Sequence, residues 1–276
     1  MKTKMLMLAA CLGGLFLGGC NDDESYLPGR AVVDGFTDKY PAARDVSWDK
    51  KSGYDVADFY DGSYQAEAWF DAAGAWMMTE TDLPFAQLPA AVRDSFGLSA
   101  YAGWRIDDVD RLERPATGVM YVIEVEKGGE EYDLAYSETG ILIRASADNE
   151  GDDGYRPVAV AQEIYDFVAT HYAGSTVMEV DKEKNGQYEI DILDGVTPKE
   201  ITLDASFGWV RTEWDVLSAA LPEAVKNAVA VAYPGYRVDD DADAVDTPQG
   251  LYYEVELETG DREIRVKFRP DGQEIR

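Results

Sequence analysis

Histidine occurs once and cysteine only twice in the 276 residues, and bases are outnumbered by acids, 25 to 54. Each shortage excludes something. With His171 as the only imidazole, a Ser-His-Asp or Cys-His mechanism must use that residue or do without one. No His or Cys cluster has metal-ligand spacing, which speaks against zinc. Phosphate loops and dinucleotide fingerprints are also missing. The formal net charge of −29 disfavours nucleic acid and anionic membrane surfaces, because phosphate binding needs basic patches. It suits generic solubility, or selectivity for a basic partner. The longest apolar stretch, Met5 to Phe16, is too short to cross a bilayer.

That stretch reads as a targeting segment. Lys2 and Lys4 precede it, and Leu17-Gly18-Gly19-Cys20 closes it with small residues before a cysteine. The ending resembles a bacterial lipobox, which implies cleavage before Cys20 and lipidation there; an ordinary signal peptide with a chance cysteine is the alternative. Several acyl chains on one residue would anchor the protein firmly. The acidic run Asn21 to Ser25 resembles a surface-export signal of lipoproteins from Bacteroides-like bacteria; otherwise it is a solvated tether. Cys11 would leave with the signal and Cys20 would carry lipid, so no disulfide is expected. Stability must then come from the core, which about 250 residues in two domains can supply.

A short motif recurs four times. Tyr40-Pro41, Tyr101-Ala102, Tyr172-Ala173 and Tyr233-Pro234 each follow a helix-like stretch and precede strand-like ones, at steps of 61, 71 and 61 residues. Alternating steps indicate two large copies, each made of two halves. At an offset near 133, Thr79-Glu80-x-Asp82 recurs as Thr212-Glu213-x-Asp215, Leu88-Pro89 as Leu221-Pro222, and Arg105-Ile106-Asp107 as Arg237-Val238-Asp239. Tyr121 to Glu126 resembles Leu251 to Glu256. The predicted division is a signal at 1–20, an acidic tether at 21–30, domains at 31–146 and 158–276, and an acidic, Gly-rich linker at 147–157.

Each half begins with an amphipathic helix: Val32, Phe36 and Tyr40 share one face, as do Leu88, Val92 and Phe96. Pro89 and Pro222 fit first-turn positions, and Pro41 and Pro234 fit helix stops. Alternating stretches follow, such as Tyr188, Ile190 and Ile192 against Glu189 and Asp191. Period two with one polar face predicts a sheet buried on one side. Turns such as Asp61-Gly62, Asn185-Gly186 and Asp271-Gly272 predict antiparallel neighbours. The half-unit is thus a helix covering three to four antiparallel strands.

Phe36-x-x-x-Tyr40-Pro41, Val46-x-Trp48, Tyr54-x-Val56 and Glu67-Ala68-Trp69-Phe70-Asp71-x-x-Gly74-x-Trp76 resemble the PepSY-like family of Bacteroides-type envelope proteins, whose fold resembles the β-lactamase inhibitor protein. The second copy follows more loosely, with Glu200-Ile201-Thr202-Leu203-Asp204 in place of Glu-Ala-Trp-Phe-Asp. The resemblance implies an α+β fold of two tandem PepSY-like domains. It also implies a secreted, non-catalytic lipoprotein of the cell envelope, placed at the outer membrane and exposed at the surface if the export signal operates. The partner implied is a protein or peptide, such as a peptidase or other hydrolase, and no cofactor is implied. Inhibition is an analogy of fold.

Strand phase puts Ala68, Phe70, Ile201 and Leu203 under a helix and turns Glu67, Trp69, Glu200 and Thr202 to the open face. Phe59, Glu67, Trp69 and Val122 make up the candidate binding surface, as aromatics among acids suit protein recognition. The alternative is that the halves or domains pack over them, which fits a scaffold lipoprotein without a specific ligand. Asp148-x-Glu150-x-Asp152 and Asp239-Asp240-Asp241-x-Asp243 are oxygen-rich but lack EF-hand spacing, so calcium-dependent adhesion is a weaker alternative and no metal site is assigned. His171 reads as a basic residue in a last helical turn, matching Lys39.

Overall fold

A computed structural model describes residues 26–147, 155–260 and 262–275. The signal segment, Cys20, the acidic run and the Asp148–Asp152 stretch lie outside the described residues. The first half-unit comprises α1 (Arg30–Lys39), β1 (Arg44–Lys51), β2 (Tyr54–Asp61), β3 (Tyr64–Phe70) and β4 (Trp76–Asp82). The second comprises α2 (Ala90–Leu98), β5 (Arg105–Glu113), β6 (Met120–Lys127), β7 (Glu130–Ser137) and β8 (Leu142–Ala147). The third has α3 (Gln162–His171), β9 (Thr176–Lys182), β10 (Tyr188–Asp194), β11 (Thr197–Leu203) and β12 (Trp209–Leu217). The fourth has α4 (Glu223–Ala232), β13 (Arg237–Asp246), β14 (Tyr252–Thr259), β15 (Arg262–Phe268) and β16 (Glu274–Ile275). Single 3-10 turns, Phe85–Gln87 and Ser218–Ala220, lead into α2 and α4.

Strands β1 to β8 form one antiparallel sheet in sequence order, and β9 to β16 form the other. Every half-unit therefore contributes four strands. The fourth strand joins the halves, because β4 pairs with β5 and β12 with β13. A half alone is four strands and one short helix, too small a core to stand by itself. The α+β reading holds, with sheet the larger share.

The recurrent Tyr is a helix stop. Tyr40, Tyr172 and Tyr233 are the C-caps of α1, α3 and α4, each donating its backbone N–H 2.8 Å to the carbonyl four residues back. In the second half-unit Ser99 takes that place and Tyr101 follows in the turn. Pro89 and Pro222 sit at the N-cap, one residue earlier than predicted, so their missing N–H is lost outside the helix. His171 occupies the last turn of α3 and stacks on Phe167 at 4.4 Å.

Each helix lays its apolar stripe on its own four strands. Val32 and Phe36 meet Ala57, Phe59, Ala68 and Phe70. Leu88, Val92 and Phe96 meet Val109, Ile123, Val125 and Leu134. The other two half-units repeat this, with Ile201 and Leu203 beneath α3. The two large copies also share a buried triad. Thr79 and Thr212 are nearly inaccessible, and each hydroxyl meets a Tyr phenol (Tyr40, Tyr172) and an indole N–H (Trp76 at 2.8 Å, Trp209 at 3.0 Å). Tyr40 is pushed up to about 12, chiefly by burial. The register corrects one internal match. Ile106 faces Val125 and Val238 faces Leu257, so Tyr121 corresponds to Tyr253, two residues beyond Leu251.

Candidate functional site

The sheet faces turned away from the helices differ between the two copies. In the first, β2 to β4 present Val56, Trp69 and Met78, and β5 to β7 present Leu112, Met120, Val122 and Ala135. This apolar surface is covered. Tyr155, from the connection between the sheets, packs against both groups, and Met178 and Leu193 of the second sheet close over the latter. The backbone N–H of Gly118 donates 2.8 Å to the carbonyl of Val177, bringing β9 directly against the first copy.

Of the candidate residues, Trp69 lies on this face but is 5% exposed, between Tyr54, the Lys51 ammonium and Tyr155. Its indole N–H has no hydrogen-bond partner among the described residues. Val122 is 2% exposed in the contact with Met178. Glu67 is half-buried and ion-paired with Lys51 at 2.7 Å. Phe59 is a correction: it is fully buried on the helix side, edge-on to Phe36 at 5.0 Å. Its strand partner is Ala66, and period two then puts it on the face opposite Trp69.

Charges rim the covered face. Glu179, 4% exposed, accepts from Arg114 at 2.9 Å and Arg144 at 2.7 Å, the two arginines belonging to the first copy. Arg144 also reaches Asp181 at 3.3 Å and Asp191 at 3.5 Å. Burial pushes Asp191 up to about 7 despite Arg144, with Glu179 adding to the rise. Burial raises the Tyr155 phenol as well. Sequence reasoning missed this junction, because no local pattern marks residues that meet across two sheets.

Glu80 is a second carboxyl pushed up to about 7, by burial and then by the negative charges of Glu67 and Asp82. Its oxygen lies within 4.8 Å of carboxylate oxygens of Asp82 and Asp110. A carboxyl whose folded pKa is raised binds its proton more tightly in the folded state, so its contribution weakens stability as pH rises from 4.5 to 7. Glu80→Gln is therefore expected to stabilise the chain more at pH 8 than at pH 5. The gain should differ by about 2 kcal/mol in urea unfolding, since one unit is about 1.4 kcal/mol. An equal effect at both pH values would show that Glu80 ionises normally.

The same face of the second copy, beyond the part that Asp191 and Leu193 engage with the first copy, is more polar. Strands β10 to β14 carry Glu189, Glu200, Glu213, Asp243, Glu254 and Glu256 there; Glu189 and Glu254 replace the apolar Val56 and Val122, whereas Glu200, Glu213, Asp243 and Glu256 stand where the first copy has Glu67, Glu80, Asp110 and Glu124. Burial raises Glu189, Glu200, Glu213 and Asp243, with neighbouring carboxylates adding to each. Bases counter them in part. Arg211 lies near Glu200 and Glu213, Arg265 pairs with Glu256 at 3.0 Å, and Lys267 with Glu254 at 2.6 Å. These last are the cross-strand pairs expected from strand phase. A depression of about 110 Å³ opens between Asp241, Asp243, Glu254, Glu256 and Arg265. Carboxylates of Asp239, Glu256 and Glu258 also lie within 4.8 Å of one another. Asp239 to Asp241 form a bulge in β13, where the register shifts between Val238 and Ala242.

A helix on an antiparallel sheet, repeated to give two helices per sheet and two sheets per chain, defines a tandem scaffold of the β-lactamase-inhibitor-like class. A family model described as "Putative beta-lactamase-inhibitor-like, PepSY-like" matches residues 52–144, 157–208 and 187–275, and the chain belongs to this PepSY-like family. Among solved structures it is similar to a BLIP-like protein from Bacteroides fragilis, with 39% identity over 50% of this chain and 99% of that one, at a TM-score of 0.47. It is also similar to a DUF2874 family protein from Bacteroides ovatus, with 31% identity over 46% and 93% of the two chains, TM-score 0.45. A structure described as "putative periplasmic proteins" from Bacteroides eggerthii aligns at 23% identity over 46% and 94%, TM-score 0.44. No protein of curated function matches.

Proposed function

We propose that the chain is a non-catalytic, lipid-anchored envelope protein that binds a basic segment of a partner protein on the open face of its second sheet. The observation that carries this reading is the contrast between the two faces. The apolar face of the first copy is used internally, which locks the copies together. On the same face of the second copy Glu189 and Glu254 replace the apolar Val56 and Val122, and half-buried carboxylates, raised first by burial and further by one another, would gain from an incoming cation. A basic partner would gain both attraction and faster encounter. Anchoring through Cys20 would hold this face at the outer membrane; among the described residues no helix is long and apolar enough to cross a membrane.

A scaffold role without a specific ligand is the second reading, favoured by the burial of Trp69 and Phe59. A charge-reversal variant separates the two. Glu213→Lys with Glu254→Lys, on the intact chain, is expected to lose a partner that wild type retains from an envelope extract at low salt and releases at high salt. Identical retention by wild type and variant would overturn the acidic face as the site.

A further inference from the structure

Internal duplication allows one half-unit to be read against another. The second and fourth half-units enter their helices alike. The carbonyls of Phe85 and Ser218 accept from the N–H groups of Leu88 and Leu221, and Pro89 and Pro222 cap α2 and α4. Arg93 and Lys226 reach back to the carbonyls of Ala86 and Ala219. Phe85 therefore corresponds to Ser218, Phe96 to Val229 and Trp104 to Tyr236. In the second half-unit, Phe85 and Phe96 pack ring to ring at 5.5 Å. In the fourth, both rings are gone. A cleft of about 440 Å³ lies there instead, lined by Ser218, Leu221, Lys226, Val229, Tyr233 and Tyr236.

Three features make this more than a packing loss. The volume lies within the range of ligand pockets. The Ser218 hydroxyl oxygen is buried and has no hydrogen-bond partner among the described residues, a costly state that a ligand amide would end. Tyr233 and Tyr236 stand edge to face at 5.9 Å, so the cleft already has aromatic walls. Leu217, next in sequence to the lining residue Ser218, is 65% exposed. An exposed apolar side chain one residue from the lining suits a polypeptide partner, which can cover it, better than a small molecule.

We infer that this cleft receives an aromatic side chain, of phenylalanine size, presented by a partner polypeptide, with Ser218 bonding the partner's backbone amide. Phe85 shows the fit: the same chain places its own ring at the equivalent position. The site lies on the helix side of the second sheet and does not depend on the acidic face proposed above.

Titration of the full chain with N-acetylphenylalanine amide, followed by amide chemical shifts, tests it. Saturable shifts are expected at Ser218, Val229, Tyr233 and Tyr236, with a dissociation constant on the order of millimolar. N-acetylleucine amide and phenol should each bind about tenfold more weakly. Ser218→Phe, which restores the missing ring, should abolish the shifts. Should that variant misfold, Ala230→Arg at an exposed helical position at the mouth serves the same purpose. Shifts that never saturate, or that persist in both variants, would overturn the site. Equal affinity for phenol would overturn the polypeptide occupant.

Discussion

Glu179→Ala is expected to destabilise the chain by about 3–5 kcal/mol, the range for removing one partner of a buried ion pair. Glu179 is the anionic centre of the junction between the two copies, and both of its guanidinium partners come from the first. Without it Arg144 keeps Asp181 and Asp191. Arg114, only 12% exposed, loses the carboxylate that balances its desolvation. The cost therefore falls mainly on Arg114, and Arg114→Met added to Glu179→Ala should recover much of it, because an apolar pair in place of a buried ion pair is often neutral. The same substitution should lower the pKa of Asp191, since Glu179 is one cause of its rise. Urea unfolding of the single and double variants, with the carboxyl of Asp191 followed by NMR, measures both effects. A loss below 1 kcal/mol would show that the arginines are solvated and the junction is loose.

The junction also marks where sequence reasoning stops. The repeats, the helix faces and the strand phase were legible because they rest on local spacing. Ala68 and Phe70 under a helix, with Trp69 on the other face, follow from period two alone. The placement of Phe59 failed although its signal was present. A two-residue turn, Gly62-Ser63, joins Asp61 to Tyr64, and counting back from it sets Phe59 opposite Ala66. The open face of the first copy was recognised as a surface that must be covered or used. What covers it could not be read, because Tyr155, Met178 and Leu193 reach it only through the arrangement of two sheets. The cleft beside α4 was written in the exchange of Phe85 for Ser218, but two residues become a cavity only once both half-units are known to share one backbone.

Gly140→Ala is expected to cost more than 3 kcal/mol, far beyond an ordinary surface glycine. The four hairpins that face the helix starts are built alike. The N–H of Gly74, Gly140, Phe207 and Gly272 each donates to the carbonyl three residues back, and each of the four residues has positive φ. At Gly140, φ is +80°, and a Cβ there would lie 2.4 Å from the carbonyl oxygen of Ala91 and 2.6 Å from its carbon. Those atoms are backbone in the first turn of α2, so they cannot rotate away; the helix or the hairpin must shift. Left-handed strain adds roughly 1–2 kcal/mol to that clash. Gly62→Ala is the control: its φ is +63°, with nothing within 4 Å, so only the strain of about 1–2 kcal/mol should appear. If both variants lose the same stability in urea unfolding, the close approach carries no weight. A larger loss at Gly140 means that α2 is held by backbone set against backbone as well as by its apolar stripe. Gly74 and Gly272 make the same approach to Ala31 and Ala224. The third half-unit carries Phe207 instead, stacked on Tyr188 at 5.2 Å, and so tolerates a side chain where the other three exclude one.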